Sequence, residues 1–317
     1  YELKKPEYGG FLKRVLILTG LLITVFSLFA QLAFPPTFGD GTENNPYEIT
    51  NWNNLYWLSQ NPSEWDKHYV QTLDIDFAEA TPPINTWEYG KGWSPIGNNS
   101  ICFTGKYDGD HNVIKNIFIN RRSVMTGLFG YSSGQISNVG VINVNITSGG
   151  LVGGLIGYNL PTGIVEGCYS SGIVTAGNDV GGLIGLSCGT ILNCYNTANV
   201  SGVDYVGGLI GDATGSITNC YNKGSVTGSD RVGGLIGLLS NNNNTAVSNS
   251  YSVGLVTGNT QVGGLVGWSV MVDVSNSFWD IETSGQSTSI GGTGLTTVEM
   301  KSISTFTDAS WDFPGTW

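Results

Sequence analysis

The apolar residues of this chain alternate with small and polar residues in short runs, without the three- and four-residue spacing of a helix. Between positions 100 and 290, runs such as Ile217-Thr218-Asn219-Cys220-Tyr221 are broken every few residues by Gly, Asn or Ser. Alternation with a period of two is typical of strands, and Gly, Asn and Ser clusters are typical of turns. The pattern therefore predicts an all-β fold of short strands.

A four-residue pattern, Val-Gly-Gly-Leu, recurs with spacings of 28, 26, 26 and 30 residues. Its copies occupy positions 152–155, 180–183, 206–209, 232–235 and 262–265, and a degenerate copy occupies 126–130. A fixed period of this size indicates a solenoid, in which each repeat buries its apolar face against its neighbours. We expect a parallel β-helix of about six coils, each 26–30 residues long, with a cap at each end.

The chain divides into four expected regions. Lys13-Arg14 is followed by an apolar run to about Ala30, which is typical of a secretion signal, and an uncleaved anchor helix is the alternative. In the next region, Thr50 is predicted to cap a short helix that carries Leu55 and Leu58. The regions are upstream residues plus a signal peptide or hydrophobic anchor at 1–33, a Trp-rich N-terminal cap and first coils at 34–100, the repeat β-helix at 101–278, and a C-terminal cap at 279–317.

Stacked coils place equivalent residues in columns about 4.8 Å apart. One aliphatic column is predicted to point inward: Ile136, Val165, Ile191, Ile217, Val247 and Val274. A second column could form a ladder of side-chain amides, each bonded to the next coil: Asn193, Asn219, Asn249 and Asn276. The paired glycines are predicted to provide tight corners with positive φ.

The charge of the chain restricts its partners. Only 12% of the residues are charged, and the net charge is −11. An acidic surface that is poor in Lys and Arg argues against nucleic acid and against anionic membranes as partners. A surface made polar by Asn, Ser and Thr fits a secreted, extracellular coat or stalk.

The repeats resemble those of the GLUG-repeat proteins of bacterial surfaces, which are named for a Gly-Leu-hydrophobic-Gly core. Copies of this core stand at 127–130, 154–157, 182–185, 208–211, 234–237 and 264–267. The resemblance covers about residues 38–317 and implies a right-handed β-helix in a secreted or surface-attached, adhesin-like protein. Some relatives carry such repeats beside an immunoglobulin-cleaving metallopeptidase domain, whose His-Glu-x-x-His motif this sequence lacks.

Three of the five cysteines share a column that serine continues: Cys168, Cys194, Cys220, Ser250 and Ser277. A column that accepts Ser indicates a small, packed side chain. A disulfide between Cys188 and Cys194 across a turn is the alternative. Zinc is not expected, because the sequence has no Cys-x-x-Cys and its histidines lie far from its cysteines.

Four carboxylates cluster near the start of the β-helix: Asp74, Asp76, Asp108 and Asp110. No cofactor is expected, although alternating acids could bind calcium. They could also serve as the acid pair of a polysaccharide-cleaving enzyme. Asp-Gly and Asp-x-Asp runs are equally typical of turns, and a purely structural role is the third interpretation.

An aromatic column is the most function-like feature: Tyr169, Tyr195, Tyr221, Tyr251 and Phe278. If these rings point outward, they could bind a glycan or a partner; if they point inward, they form a core stack. Alternation does not decide between the two, because each turn resets the parity.

These observations favour a secreted or surface protein with a structural or adhesive function and no catalytic activity. Solenoid ends are open strand edges unless they are capped, so self-association into extracellular fibres or surface layers is a further hypothesis. Glycans and host or cell surfaces are the other candidate partners. The alternatives are a carbohydrate-active β-helix enzyme and a glycan-binding module.

Overall fold

The computed structural model describes residues 31–240 and 245–313, which form a parallel β-solenoid of about six turns. The strands of its four sheets pair in parallel with the equivalent strands of the neighbouring coils, so that Ile191, for example, stands opposite Ile217. The predicted fold class is therefore confirmed. The predicted signal peptide or anchor falls on residues 1–33, of which 1–30 lie outside the described residues. No helix in the described ranges is both long and apolar enough to cross a membrane.

Two sheets run the length of the solenoid. Sheet A has nine strands: Tyr47–Ile49, His68–Gln71, Lys106–Asp108, Gln135–Ser137, Ile164–Glu166, Thr190–Leu192, Ser216–Thr218, Ala246–Ser248 and Asp273–Ser275. Sheet B has thirteen: Ile75–Asp76, Val113–Lys115, Phe118–Asn120, Gly140–Thr147, Tyr169–Thr175, Tyr195–Asn196, Asn199–Ser201, Tyr221–Asn222, Val226–Thr227, Tyr251–Ser252, Val256–Thr257, Phe278–Asp280 and Thr293–Leu295.

Two further sheets complete each coil, which passes through sheets A, B, C and D in turn. Sheet C has six strands: Val124–Thr126, Gly150–Val152, Asn178–Gly181, Asp204–Gly207, Asp230–Gly233 and Thr260–Gly263. Sheet D has six: Phe129–Ser132, Ile156–Asn159, Ile184–Ser187, Ile210–Ala213, Ile236–Leu239 and Val266–Ser269.

The predicted aliphatic column lies inside the coils, in sheet A. Ile136, Val165, Ile191, Ile217 and Val247 are fully buried and stand opposite one another from coil to coil. Burial of an aliphatic side chain contributes about 1.5–3 kcal/mol. The column weakens at its C-terminal end, where the last member is only partly buried.

The glycines of the repeated quartet are required for space, and the prediction that they adopt positive φ is wrong. A Cβ on Gly181 of the quartet would lie 2.0 Å from the carbonyl oxygen of Ile184, and one on Gly185, which ends the Gly-Leu-Ile-Gly core, would lie 2.3 Å from the backbone N of Val152. Neither glycine has a positive φ. Sheets C and D pass each other so closely that a side chain larger than hydrogen would overlap backbone atoms.

Positive φ occurs instead in the asparagine column. Asn193 and Asn219 have φ of 55° and 56°, and Gly167 takes the same place one coil earlier with φ of 63°. Asparagine tolerates the left-handed region better than most residues, which explains its recurrence there. The amide of Asn219 donates from Nδ2 to Oδ1 of Asn193 at 3.0 Å, so the predicted amide ladder is confirmed for this pair. Left-handed φ continues in the remaining members, Asn249 and Asn276.

The N-terminal cap is built on the helix Trp52–Gln60. Leu55 and Leu58 are fully buried, as predicted. The helix is capped by Asn51, whose side chain accepts from the backbone N–H of Asn54, and the prediction of Thr50 as the cap is wrong. Thr50 donates its hydroxyl to the side chain of Asn54 instead. Three 3₁₀ turns and one irregular turn complete this cap: Pro62–Glu64, Phe77–Glu79, Ile84–Thr86 and Trp87–Gly90.

The C-terminal cap consists of three short helices: Ile281–Ser284, Thr297–Met300 and Ile303–Asp308. Phe306 is buried in a small aromatic cluster with Phe278 and Trp311. Asp280 caps the first of these helices by accepting two backbone N–H groups. This cap lies against the last strands of sheet B.

Candidate functional site

The tyrosine column lies on the outer surface of sheet B, so the outward interpretation is correct. Tyr195 stands between Cys194 and Asn196, both fully buried, and alternation therefore directs its ring outward. Ring centroids are 4.7 Å apart for Tyr169–Tyr195 and for Tyr195–Tyr221, and 5.0 Å apart for the next pair, with planes within 8° of parallel. The four tyrosines form one continuous stack of half-buried rings, which we call the tyrosine ladder.

The stacking covers the ring faces of the tyrosine ladder. At one end the ring of Tyr169 lies over Gly140, where an added Cβ would be 2.3 Å from Cζ. At the other end Tyr251 lies 6.1 Å from Trp311 of the C-terminal cap, measured between ring centroids. Burial raises the pKa of Tyr195 to about 12, which keeps its hydroxyl neutral at physiological pH. The ladder therefore presents ring edges and hydroxyl groups to solvent, whereas a sugar that packs on the negative face of an aromatic ring needs a free face.

Directly behind the tyrosine ladder runs a polar ladder that the sequence analysis missed. Asn196 and Asn222 are fully buried, and Nδ2 of Asn196 donates to Oδ1 of Asn222 at 2.9 Å. Ser170 donates its hydroxyl to Oδ1 of Asn196 at 2.7 Å. Each asparagine also donates to a backbone carbonyl two residues later. The sequence feature that could have predicted this polar ladder is the triplet Cys-Tyr-Asn, which is repeated at 194–196 and 220–222.

The cysteine column packs inside the coils, as predicted. All five cysteines of the chain are free thiols. Cys194 donates from Sγ to the carbonyl of Leu192 at 3.2 Å, and Ser250 uses its hydroxyl in the same way. Burial raises the pKa of the thiols of Cys168 and Cys220. The alternative disulfide is not formed, because Cys188 contacts the hydroxyl of Tyr158 while Cys194 points into the core.

The structure does not bring the four predicted calcium ligands together: Asp74, Asp76, Asp108 and Asp110. Asp74 is paired with the ammonium of Lys115 at 2.8 Å, which lowers the pKa of its carboxyl group. Asp76 and Asp108 each accept the backbone N–H two residues later, as turn-forming aspartates do. Within residues 31–240 and 245–313, no group of three or more His, Cys, Asp or Glu side chains is placed to hold a metal ion.

A pair of carboxyl groups in the later coils was also missed. Gly211 of sheet D packs on the backbone of Asp179 in sheet C, where an added Cβ would lie 2.5 Å from the carbonyl carbon, and this brings Asp212 within electrostatic reach of Asp179. Burial raises the pKa of both carboxyl groups to about 6; the carboxylate of Asp204 contributes further to the rise for Asp179, and that of Asp179 to the rise for Asp212. Oδ1 of Asp212 is buried and has no hydrogen-bond partner among the described residues. In its own column Asp212 lies between Leu186 and Leu238.

A cavity of about 500 Å³ opens where the tyrosine ladder meets the C-terminal cap. Its lining includes Tyr251, Phe306, Trp311 and Met300. Asp280 also lines it, but its carboxylate is held by the helix N–H groups and by the hydroxyl of Thr297 at 2.8 Å. These contacts connect the cap to the last coil.

The repeats match the GLUG motif family over residues 148–175 and 202–227, which confirms the resemblance noted in the sequence. The chain is 35% identical over 153 residues to halomucin from Haloquadratum walsbyi, covering 47% of this chain and 2% of halomucin. It is 35% identical over 127 residues to a candidate Gly-rich membrane protein from Evansella cellulosilytica, covering 38% of this chain and 14% of that protein. The chain thus spans a small part of the length of both relatives.

One solved structure resembles the solenoid over most of its length. A candidate immunoglobulin A1 protease from Bacteroides ovatus matches with a TM-score of 0.67, covering 83% of this chain and 87% of that chain. The sequence identity of 24% makes this a likeness of fold.

Proposed function

We propose that this GLUG-motif solenoid is a non-enzymatic structural module of the cell surface or extracellular space, a stiff rod that serves as a stalk or spacer. One observation carries the proposal: the repeated residues are used in contacts between successive coils. Tyr195 stacks on a tyrosine of the coil before and of the coil after, and Asn196 bonds to both neighbouring coils. Side-chain ladders on both surfaces of sheet B oppose bending and separation of the coils.

Three features support a surface location. The relatives include a halomucin and a candidate membrane protein. Only 12% of the residues are charged, and the polar surface relies on neutral side chains. A signal peptide or anchor is predicted at 1–33 from the sequence.

The contacts of the candidate residues support the two alternative functions, an enzyme and a glycan-binding module, less well. A carbohydrate-active enzyme at Asp74, Asp76, Asp108 and Asp110 is disfavoured, because the described carboxylate contacts are those of turns and of an ion pair. Glycan binding along the tyrosine ladder is disfavoured, because the rings cover one another.

Single-molecule force spectroscopy of the full chain tests the rod function. We expect a well-defined unfolding force, reduced in Tyr195→Ala, which removes two stacking contacts. Tyr89→Ala is the matched control, because Tyr89 is fully exposed. Extension of the wild-type chain without a force peak would refute the proposal, as would cleavage of any polysaccharide in a broad panel by the purified protein.

Assembly into fibres is a second candidate function. It is supported by the edge strands at the C-terminal ends of sheets C and D. Thr260–Gly263 and Val266–Ser269 are the last strands of sheets C and D. Residues 288–290 bond to residues 264–266, at the corner between these two strands. Edge strands are templates for the pairing of another chain.

We expect electron micrographs to show filaments whose number grows with protein concentration, and we expect Thr260→Lys to shorten them. A protein that sediments as a monomer at all concentrations would exclude this function.

A further inference from the structure

The first turn between sheets B and C differs from all its successors. Strand pairing places Asn120, Thr147, Thr175, Ser201, Thr227 and Thr257 at equivalent positions before this turn. The later turns have two small or neutral residues, at 148–149, 176–177, 202–203, 228–229 and 258–259. The first turn has three residues, Arg121, Arg122 and Ser123. This turn begins the stack of B-to-C turns, so the next coil lies on one side of it and residues 88–93 of the N-terminal cap lie on the other.

These arginines line a cavity of about 560 Å³ together with Lys91, Asn120 and Ser123. Three of the 13 Lys and Arg residues of an acidic chain thus meet at one place. Lys91 and Arg122 are exposed, and neither forms an ion pair with any carboxylate in the part of the chain that the structure describes. The cavity is therefore a local positive site on a negatively charged rod.

Arg121 is held in a fixed orientation at this cavity. Its Nε donates to the carbonyl of Trp93 at 2.8 Å, and its Nη2 donates to the carboxylate of Glu88 at 2.8 Å and to the carbonyl of Gly92 at 3.0 Å. The side chain is 13% exposed. Nη1 has no acceptor among residues 31–240 and 245–313, so part of the guanidinium fork is available to a ligand. A guanidinium positioned in advance binds planar anionic groups with little loss of entropy.

The turn that holds Arg121 is itself unusual. Glu88 and Tyr89 have φ of 45° and 61°, a left-handed conformation that costs free energy in residues other than Gly. Tyr89 is fully exposed. In contrast to the rings of the tyrosine ladder, its ring has free faces, and it stands two residues before Lys91 in the chain.

We propose that this cavity binds a sugar unit that carries a carboxylate or sulfate group. Arg121, Arg122 and Lys91 recognise the anionic group, Asn120 and Ser123 offer an amide and a hydroxyl for the sugar hydroxyls, and Tyr89 offers a ring face. The net charge of −11 repels long polyanions and anionic membranes, which favours a short acidic glycan end. This site goes beyond the proposed rod function, and its failure would leave the mechanical test unchanged.

Isothermal titration of the full chain with glucuronate and with N-acetylglucosamine 6-sulfate tests the proposal, with glucose as the neutral probe. We expect saturable binding of the two acidic sugars only. Arg122→Ser and Lys91→Ala should each weaken binding roughly two- to fivefold, which corresponds to the loss of one exposed charged contact. The control Lys67→Ala removes the same charge from a residue that is paired with Asp66 elsewhere in the cap, and it should bind like the wild type. Thermal melts by circular dichroism establish that each variant is folded.

Four results would overturn the proposal. They are the absence of saturable binding, equal weakening by Lys67→Ala, inorganic sulfate binding as tightly as the sugars, and unchanged binding in the Arg122→Ser, Lys91→Ala double variant. In the last case, an increase in self-association would assign the cations to protection of the N-terminal edge of sheet C, whose first strand, Val124–Thr126, follows this turn.

Discussion

The buried side chain of Asn196 donates to Oδ1 of Asn222 at 2.9 Å, one coil further along the rod. A second amide contact, from Asn219 to Asn193 at 3.0 Å, lies in the turn before the same strands. The two ladders have different causes. The outer one follows from the left-handed backbone that asparagine tolerates, whereas the inner one satisfies polar groups that are fully removed from water.

The inner ladder should be sensitive to the loss of one member. In Asn196→Ala, Ser170 loses the acceptor Oδ1 and Asn222 loses the donor Nδ2, both in a buried site. We expect the free energy of unfolding to fall by about 2–4 kcal/mol. Guanidinium denaturation measures this loss, and Asn178→Ala, which removes an exposed amide, should change it by less than about 0.5 kcal/mol. Equal stability of the two variants would show that the inner ladder does not stabilise the fold.

The tyrosine ladder should contribute to stability through both neighbours of each ring. Tyr195→Ala removes two stacked pairs with centroid distances of 4.7 Å. Each such pair is worth about 0.5–1.5 kcal/mol beyond its buried area, so we expect a total loss of about 2–4 kcal/mol. Chemical denaturation provides the measurement. Tyr89→Ala is the control, since its ring is fully exposed, and a loss of similar size there would contradict a stabilising role for the stack.

The left-handed column makes a prediction about backbone conformation. Asn193→Gly should cost about 0.5–1.5 kcal/mol, because Gly accepts φ of 55° and only the bond from Asn219 is lost. Asn193→Val loses the same bond and also places a β-branched residue in the left-handed region, which adds about 1–2 kcal/mol or more. Thermal unfolding of the two variants separates these contributions. A valine variant as stable as the glycine variant would mean that the turn relaxes to negative φ.

The carboxyl pair makes stability depend on pH. The pKa of Asp212 is about 6 in the folded chain, above the ordinary value of 3.8, so the folded state holds the proton more tightly. Its contribution to stability is therefore greatest below pH 4 and is lost as the pH rises from about 4 to 6.

Asp212→Leu should reduce this dependence, because it removes one of the two carboxyl groups with a raised pKa. The column accepts Leu, since Leu186 and Leu238 occupy the equivalent positions. We expect the variant to be more stable than the wild type at pH 7 by on the order of 1 kcal/mol, with a smaller difference at pH 4. Denaturation curves at both pH values measure the effect. Asp273→Leu at an exposed position is the control, and a pH profile unchanged by Asp212→Leu would contradict the assignment.

The period of the sequence by itself determined the solenoid and its register. Parallel coils of equal length bring each residue opposite its own equivalent, so Ile191 meets Ile217 and Cys194 follows Cys168 without further information. The burial of Leu55 follows from its position on one side of the helix that the sequence predicts.

The tertiary structure alone decided which side chains face solvent and which distant residues become neighbours. Each turn restarts the alternation of inward- and outward-pointing side chains. The outward direction of Tyr195 therefore depended on where its strand begins. The close packing of sheet C on sheet D brought Asp179 and Asp212 near each other from two columns that are separate in the sequence. The site at Arg121 and Lys91 depended on the N-terminal cap folding against the first coil, because long-range contacts of this kind leave no period in the sequence.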